Sequence, residues 1–205
     1  MGFKERRERQ KEATREGILA AARNIARAEG WQAVTIRRIA DIIEYSPPTI
    51  YEYFASKDAI LGEVQREGFE QLADAMRQAA EQTMDTTERL EQIGRAYWRF
   101  TQQQPELYQV IHGPDSAGLP TEETLNGARK SAAVVYDALE QWAQACNAVL
   151  PDPQGAVETL WALLHGLAAV TLLDRVGGGP ERAERLAAQA MKDLLFAWAE
   201  KKEAG

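Results

Sequence analysis

The sequence predicts an all-α protein, and three features of its 205 residues point the same way. Apolar residues recur every three or four positions, which is helical spacing, and no stretch of useful length alternates apolar and polar residues as a strand would. Clusters containing proline or glycine separate the apolar segments. Hydrophobic residues make up 45% of the chain and charged residues 27%, the balance of a folded protein. We expect about nine helices and no internal repeat.

The first helix is predicted over residues 15–29. Ile18, Ala22 and Ile25 follow helical spacing within it. Thr14 is placed to cap the start of this helix, and Gly30 is placed to end it.

Two short helices follow. Thr35 can cap the second helix, whose apolar face ends near Ile43. Ser46 followed by Pro47 is the N-cap and first-position signature of a third helix, which is predicted to end near Phe54.

The remaining helices are longer and end at clear breakers. Ser56 opens a fourth helix that runs to about Gln82 and is long enough to link two domains. Further helices are predicted at about 86–103, 105–112, 121–149, 154–176 and 180–202.

Basic residues are concentrated near the N-terminus. Residues 1–58 hold eleven Lys and Arg against nine Asp and Glu, whereas residues 59–205 hold 13 against 22, within a net charge of −7 for the whole chain. In the first eleven residues, only Glu5 and Glu8 oppose the basic side chains, which are Lys4, Arg6, Arg7, Arg9 and Lys11. We expect this end to approach a DNA duplex, and the alternative is a solvated charged tail.

Three short helices, with about three residues between the second and third, are the arrangement in which the third helix enters the DNA major groove. Ile50 and Phe54 lie four apart and are expected to lock the third helix to the core, whereas Thr49 and Tyr53 share another face. Residues 1–58 are therefore predicted to be an N-terminal arm with a helix-turn-helix DNA-binding domain. Residues 59–205 are predicted to be a larger helical domain for ligand binding and dimerisation.

Lys57 is placed in the first turn of the fourth helix, where a cation opposes the positive end of the helix dipole. A DNA phosphate held by both the helix N-terminus and the ammonium would compensate for this. The alternative is an exposed lysine without consequence.

The stretch from Thr35 to Leu61, TIRRIADIIEYSPPTIYEYFASKDAIL, resembles the signature of TetR-type transcriptional regulators. That resemblance implies a homodimer that binds a palindromic operator in double-stranded DNA and that a small-molecule effector releases. This sequence departs from the family inside the turn. Family members usually have glycine where Glu44 stands, a small aliphatic residue in place of Tyr45, and often glycine in place of Pro48.

The resemblance also implies which residues touch DNA. Thr35, Tyr51 and Lys57 would mainly hold phosphates, and capping alone would also explain Thr35 and Ser46. Base edges, thymine methyls or the groove floor would be read by Arg37, Pro48, Thr49 and Tyr53. The full predicted set is Thr35, Arg37, Ser46, Pro48, Thr49, Tyr51, Tyr53 and Lys57.

The second domain is rich in large aromatic residues that would line an effector cavity. The segment WALLHG, from Trp161 to Gly166, is similar to the Trp-His-Gly pattern of one TetR effector-domain subgroup. His165 there would hydrogen-bond a ligand or sense protonation. The predicted ligand set is Trp98, Tyr108, His112, Trp142, Trp161 and His165, and ordinary core packing is the alternative for each.

The last helix holds a stripe of small and apolar residues that would let a second subunit approach closely. The stripe consists of Ala183, Ala187, Ala190, Met191, Leu194 and Trp198. Two such helices from each subunit would form a four-helix contact, as the resemblance also implies. Burial of the stripe within one chain is the alternative.

Composition favours the cytoplasm as the compartment. Cys146 is the only cysteine, so no intramolecular disulfide forms, and the first twenty residues hold charges where a secretory signal needs an apolar run. The most apolar stretch, from Leu160 to Leu173, is shorter than the roughly 20 residues of a membrane span, so no membrane partner is expected.

An enzyme is the least favoured class. The two histidines and one cysteine lack zinc-ligand spacing, residues 177–179 lack the Lys-Ser/Thr of a phosphate loop, and there is no nucleophile elbow. We expect no catalytic residue, metal or cofactor. The main alternative is a helical ligand-binding or scaffolding protein without operator binding. A helical enzyme is the less favoured alternative.

Overall fold

The computed structural model describes residues 2–112 and 122–200, and these residues form nine α-helices, one short 3₁₀ turn and no strand. The predicted all-α class is therefore confirmed. The helices are α1 (Phe3–Glu29), α2 (Ile36–Ile42), α3 (Pro47–Tyr51), α4 (Lys57–Ala80), α5 (Thr86–Gln103), α6 (Pro105–His112), α7 (Glu122–Cys146), α8 (Pro153–Leu172) and α9 (Gly179–Glu200), with the 3₁₀ turn at Trp31–Ala33.

Helix α1 begins at Phe3, twelve residues before the predicted start. Thr14 does not cap it, because its hydroxyl donates to the carbonyl of Gln10 inside the helix at 3.0 Å. The backbone N–H of Gly2 donates instead to the Glu5 carboxylate at 3.1 Å. Apolar periodicity missed this part of the helix because residues 4–13 are exposed and have no apolar face.

Other boundaries agree with the prediction to different degrees. The bounds of α5 and α6 match, and Thr35 caps α2 by accepting the N–H of Arg38 at 3.2 Å. Helix α3 ends at Tyr51 rather than at residue 54, and α8 ends at Leu172 rather than at residue 176. The predicted start of α7 at residue 121 and the predicted end of α9 at residue 202 lie outside the described residues.

The chain packs as two units. The first contains Met1–Gly68 with Gln104–Leu125, and the second contains Phe69–Gln103 with Asn126–Gly205. Helix α6 therefore packs with the helix-turn-helix, together with the first half of α4. The predicted domain boundary at residue 58 separates a DNA-binding function from ligand binding and dimerisation, and it stays a prediction.

The core of the first unit is built from aliphatic residues that are fully excluded from solvent. They come from α1, α2, α3, α4 and α6, and they are Ile18, Ala22, Ile39, Ile50, Ile60, Val64 and Val110. This core holds α2 and α3 in place, as predicted for Ile50, and Phe54 beyond the end of α3 is also buried.

Half of the α9 stripe lies in the core of the second unit, so these residues do not form the predicted dimer contact. Ala183, Ala187 and Met191 are buried within the chain's own unit. Gly94 of α5 explains this, because a Cβ at this position would overlap the sulfur of Met191. The small residues of α9 thus admit a helix of the same chain. The other three stripe residues, Ala190, Leu194 and Trp198, are half-buried.

Helix α8 has 20 residues and is the one helix, among those described, whose length and composition would suffice for a membrane span. The expectation that this segment is too short was wrong, because the helix extends beyond the most apolar stretch. Its buried residues nevertheless repeat as in a packed amphipathic helix, at Ala156, Val157, Leu160, Leu164 and Ala168. Apolar side chains are also exposed along this helix, among them Trp161 and Leu172.

Candidate nucleic-acid interface

The eight predicted DNA contacts all lie in the first unit, and none of them is buried. Exposed side chains belong to Thr35, Arg37, Ser46, Pro48 and Tyr51, and half-buried ones to Thr49, Tyr53 and Lys57. The buried residues between them, Ile39, Ile50 and Phe54, anchor the segments that hold these side chains. The structure therefore leaves the whole predicted set accessible.

The two neighbouring arginines of α2 have different surroundings. The guanidinium of Arg38 pairs with the Glu29 carboxylate and donates to the carbonyl of Ala33 at 3.2 Å. This pair lowers the pKa of Glu29 and raises the pKa of Arg38 through their shared hydrogen bond. Arg37 is exposed. Arg38 thus fixes the start of α2 to α1, and Arg37 is left on the outer side.

The turn between α2 and α3 places Glu44 in the left-handed region, with φ at 59°. A residue with a Cβ loses roughly 1–2 kcal/mol in this conformation, which explains why glycine suits the position. The next N–H, from Tyr45, donates to the carbonyl of Ala40 at 3.0 Å. The departure from the family pattern at Glu44 is therefore accommodated with local strain.

The start of α3 is organised by two hydroxyl groups. Ser46 makes no side-chain cap, and its Oγ lies 2.9 Å from the Oγ1 of Thr49. Capping therefore does not account for Ser46, whereas it does account for Thr35. Each hydroxyl keeps further hydrogen-bonding capacity, since a hydroxyl is one donor and two acceptors.

Arg15 connects α1 to α4 and to the aromatic ring that follows α3. Its guanidinium lies 5.1 Å from the centre of the Phe54 ring and 2.7 Å from the Glu63 carboxylate of α4. The pKa of Glu63 is lowered, first by its hydrogen bond with Arg66 and then by its hydrogen bond with Arg15. Sequence reasoning missed this contact, because no local pattern relates α1 to the residue that follows α3.

Lys57 is tied to the protein as well as accessible. Its Nζ donates to the backbone carbonyl of Trp31 at 3.2 Å, and its side chain is half-buried. The interpretation of Lys57 as an exposed lysine without consequence does not fit this contact. The two residues are 26 positions apart, so no sequence signal could have found the pair.

The six predicted ligand residues fall into three sets. Tyr108 and His112 belong to α6 in the first unit, where their rings meet edge to face at 5.2 Å. The buried tryptophans of the second unit are Trp98 and Trp142. Trp161 and His165, both on α8, form the third set.

Trp161 and His165 stack with ring centres 5.2 Å apart on the less buried side of α8. Trp161 is 47% exposed. Partial burial of His165 lowers the pKa of its imidazole. The Trp161 ring is therefore accessible on the surface of the second unit, and the His165 ring is partly accessible.

Two family models match this chain. Residues 18–64 match the model described as bacterial regulatory proteins, tetR family. Residues 90–194, more than half of the chain, match the model described as tetracyclin repressor-like, C-terminal domain. The chain belongs to the TetR family. The resemblance seen in residues 35–61 is thereby confirmed.

A match to one named regulator covers about half of this chain. A region of 98 residues is 29% identical to the HTH-type transcriptional activator FasR of Mycolicibacterium smegmatis, and it takes in 48% of this chain and 45% of that protein. The match therefore spans less than half of that relative's length.

Solved structures share the TetR fold over most of this chain. A protein with unknown function from Rhodococcus sp. RHA1 has a TM-score of 0.81 at 19% identity, covering 91% of this chain and 95% of that one. The TetR family regulator PfmR from Thermus thermophilus has a TM-score of 0.69 at 20% identity, covering 87% and 97%. The fatty acid degradation regulator FadR from Bacillus halodurans has a TM-score of 0.73 at 15% identity, covering 86% and 93%. At these identities the likeness concerns the fold alone.

Proposed function

We propose that this TetR-family regulator is a cytoplasmic repressor that binds a palindromic operator as a homodimer and is released by a small-molecule effector. The observation that supports it best is the accessible set from Thr35 to Lys57, held on a buried aliphatic core. The relative FasR is named an activator. Activation is therefore the second candidate for the same DNA-binding protein.

The proposed DNA contacts divide by chemistry. Thr35, Tyr51 and Lys57 hold phosphates, which fixes the register on the duplex without reading its sequence. Base edges, thymine methyls or the groove floor are met by Arg37, Pro48, Thr49 and Tyr53, with Ser46 beside Thr49. The exposed basic residues at the start of α1 add attraction to the backbone.

The proposed dimer contact uses the outer sides of α8 and α9. On α8 the exposed apolar residues include Trp161 and Leu172, with Leu173 directly after the helix, and on α9 they include Leu186 and Phe196. The side chain of Phe196 is 67% exposed. Exposed apolar side chains gathered on two neighbouring helices are typical of a protein interface. A second copy of the chain would cover them as a four-helix contact.

The proposed effector is an apolar or aromatic molecule that contacts predicted ligand residues of the second unit, namely Trp98, Trp142 and His165. The buried tryptophans supply apolar surface, and His165 supplies ring nitrogens. Tyr108 and His112 belong to the first unit and are not part of this set. For release, the effector must bind more tightly to the conformation that fits DNA poorly, because equal affinity for both states shifts nothing.

Selection of duplexes from a random pool, combined with sedimentation of the bound complex, tests this function. The expected result is a palindromic site with one dimer bound and half-sites about one helical turn, roughly 34 Å, apart. A micromolar monomer that selects no duplex would contradict the proposal and favour a helical scaffolding protein. A reporter with the selected site upstream then separates repression from activation.

A further inference from the structure

Trp31 lies between a predicted phosphate contact and helix α6. Its backbone carbonyl accepts a hydrogen bond from the Nζ of Lys57 at 3.2 Å. Its indole Nε1–H donates to the backbone carbonyl of Glu106 at 2.8 Å. The indole is buried, with 2% of the residue exposed. All three residues belong to the first unit.

The Glu106 end of this chain of contacts is firmly held. The Glu106 carboxylate, which is 1% exposed, forms an ion pair with Arg27 of α1. One turn further along α6, the Gln65 amide donates to the carbonyl of Val110 at 3.2 Å. A Cβ at Gly68 would lie 3.0 Å from the side chain of Ile111. Helix α6 therefore sits closely against both α1 and α4.

Lys57 keeps free capacity for a phosphate despite its bond to Trp31. An ammonium has three N–H donors, so one bond to the carbonyl leaves two. The Trp31 carbonyl also accepts the N–H of Val34 at 3.2 Å, which fixes the direction of this oxygen. A long lysine stem that is already oriented loses less freedom when it meets DNA.

We propose that Trp31 is a positioning residue for DNA binding: it orients the Lys57 ammonium toward a phosphate, and α6 sets the position of Trp31 through Glu106. The proposal rests on the phosphate role of Lys57 given above. Its consequence is that α6, which lies outside the sequence-defined helix-turn-helix, contributes to operator affinity without touching DNA.

A double-mutant cycle on the full-length protein tests the positioning role. Operator affinity is measured over a range of salt for Trp31→Phe, Lys57→Ala and the double variant. Phenylalanine keeps an apolar ring and removes the indole N–H that bonds to Glu106. A second cycle pairs Trp31→Phe with Thr49→Ala, a change in the proposed base-reading set. Lys130→Ala, an exposed lysine of α7, serves as the charge control.

Lys57→Ala is expected to flatten the slope of log affinity against log salt by about one unit. Trp31→Phe is expected to flatten it in the same direction and to weaken binding by about two- to tenfold, the effect of one hydrogen bond. After Lys57→Ala, Trp31→Phe should have little further effect. After Thr49→Ala, it should keep its full effect.

The outcomes distinguish a failure of the phosphate role of Lys57 from a failure of the positioning role of Trp31. If Lys57→Ala leaves the salt slope unchanged, as Lys130→Ala should, the phosphate role fails and the positioning role fails with it. An unchanged slope for Trp31→Phe, or additivity with Lys57→Ala, overturns the positioning role alone. Equal coupling to Lys57 and Thr49 also overturns it, because that pattern indicates a general loosening of the helix-turn-helix.

A second measurement covers the case in which Trp31→Phe does not fold. The indole N–H resonance of Trp31 is assigned by single replacements of the other four tryptophans. In the wild-type protein this resonance should shift when operator DNA is added, and in Lys57→Ala the shift should be lost. If the wild-type resonance does not shift when operator DNA is added, the proposal is overturned.

Discussion

The two packing units of this regulator place different kinds of side chain on their surfaces. In the first unit, accessible polar and aromatic side chains are concentrated within 23 residues of sequence, from Thr35 to Lys57. In the second unit, α8 and α9 expose large apolar side chains among their polar ones, as at Trp161 and Phe196. The difference corresponds to two kinds of partner: DNA in the first case and, as proposed, a second copy of the chain in the second.

The comparison also explains what a sequence can reveal. A DNA-reading surface uses residue types that differ from the core, so position and chemistry identify it together. An apolar contact surface uses the same residue types as the core. Ala187 is buried within the chain and Phe196 is exposed, yet both are apolar residues of α9. Sequence periodicity alone does not distinguish them.

Phe196→Asp is the variant with the largest expected effect. It tests whether the exposed apolar surface of α9 is a dimer contact. An unpaired charge buried in an apolar contact costs about 3–5 kcal/mol, which raises the dimer dissociation constant more than about 100-fold. Sedimentation should show a monomer, and operator affinity should fall because the half-sites lose their link. Gln144→Asp, which adds the same charge to an exposed position of α7, should leave the dimer intact. A dimer that survives Phe196→Asp would place the interface elsewhere.

The sequence predicted most of the fold, and the residues proposed for DNA binding are accessible, but the contacts that support them were not predicted. Helix α6 was bounded correctly, because Pro105 marks its start and the sequence from 113 to 120 is rich in glycine and proline. The first turns of α1 were missed, because helical charge patterns without an apolar face give no periodicity. The bond from Lys57 to Trp31 joins residues distant in sequence, so it depends on tertiary packing alone.

Neighbouring residues of α3 sharpen the comparison between core and surface. Ile50 is fully buried and Tyr51 is 55% exposed. Ile50→Ala should lower the free energy of unfolding by about 2–5 kcal/mol, through lost burial and the cavity that remains. Tyr51→Ala should change stability by less than about 0.5 kcal/mol. Yet it should weaken operator binding by roughly two- to tenfold through a lost phosphate contact. Chemical denaturation and operator titration of both variants check this. A Tyr51→Ala variant with lower stability and unchanged DNA affinity would reverse the assignment.

Glu44→Gly tests the strained turn beside that helix. Glycine adopts a φ near 59° without a Cβ penalty, so unfolding should become about 1 kcal/mol less favourable, after allowing for the greater freedom of glycine in the unfolded chain. Glu44→Ala is the matched control, because it removes the carboxylate and keeps the Cβ. If alanine stabilises the protein as much as glycine does, the effect comes from charge and the left-handed strain is not its cause.

The smallest expected effect concerns the second unit, where His165 stacks on Trp161. Partial burial lowers the pKa of His165 in the folded chain, so the unfolded chain binds more protons in the pH range between the two pKa values. Stability should therefore rise with pH through this range, with the full contribution above the ordinary pKa of about 6.5 and a loss below it. Because the side chain is only half-buried, the loss between about pH 7 and pH 5 should stay below about 1 kcal/mol. Unfolding at both pH values, for the wild type and His165→Gln, isolates this part, and the wild type should lose more stability on acidification.

A proton NMR titration measures the pKa of His165 directly. In the proposed dimer, a second subunit would exclude more water from this ring, so the pKa should be lower in the wild type than in monomeric Phe196→Asp. Equal pKa values in the two proteins would mean that the dimer contact leaves His165 uncovered.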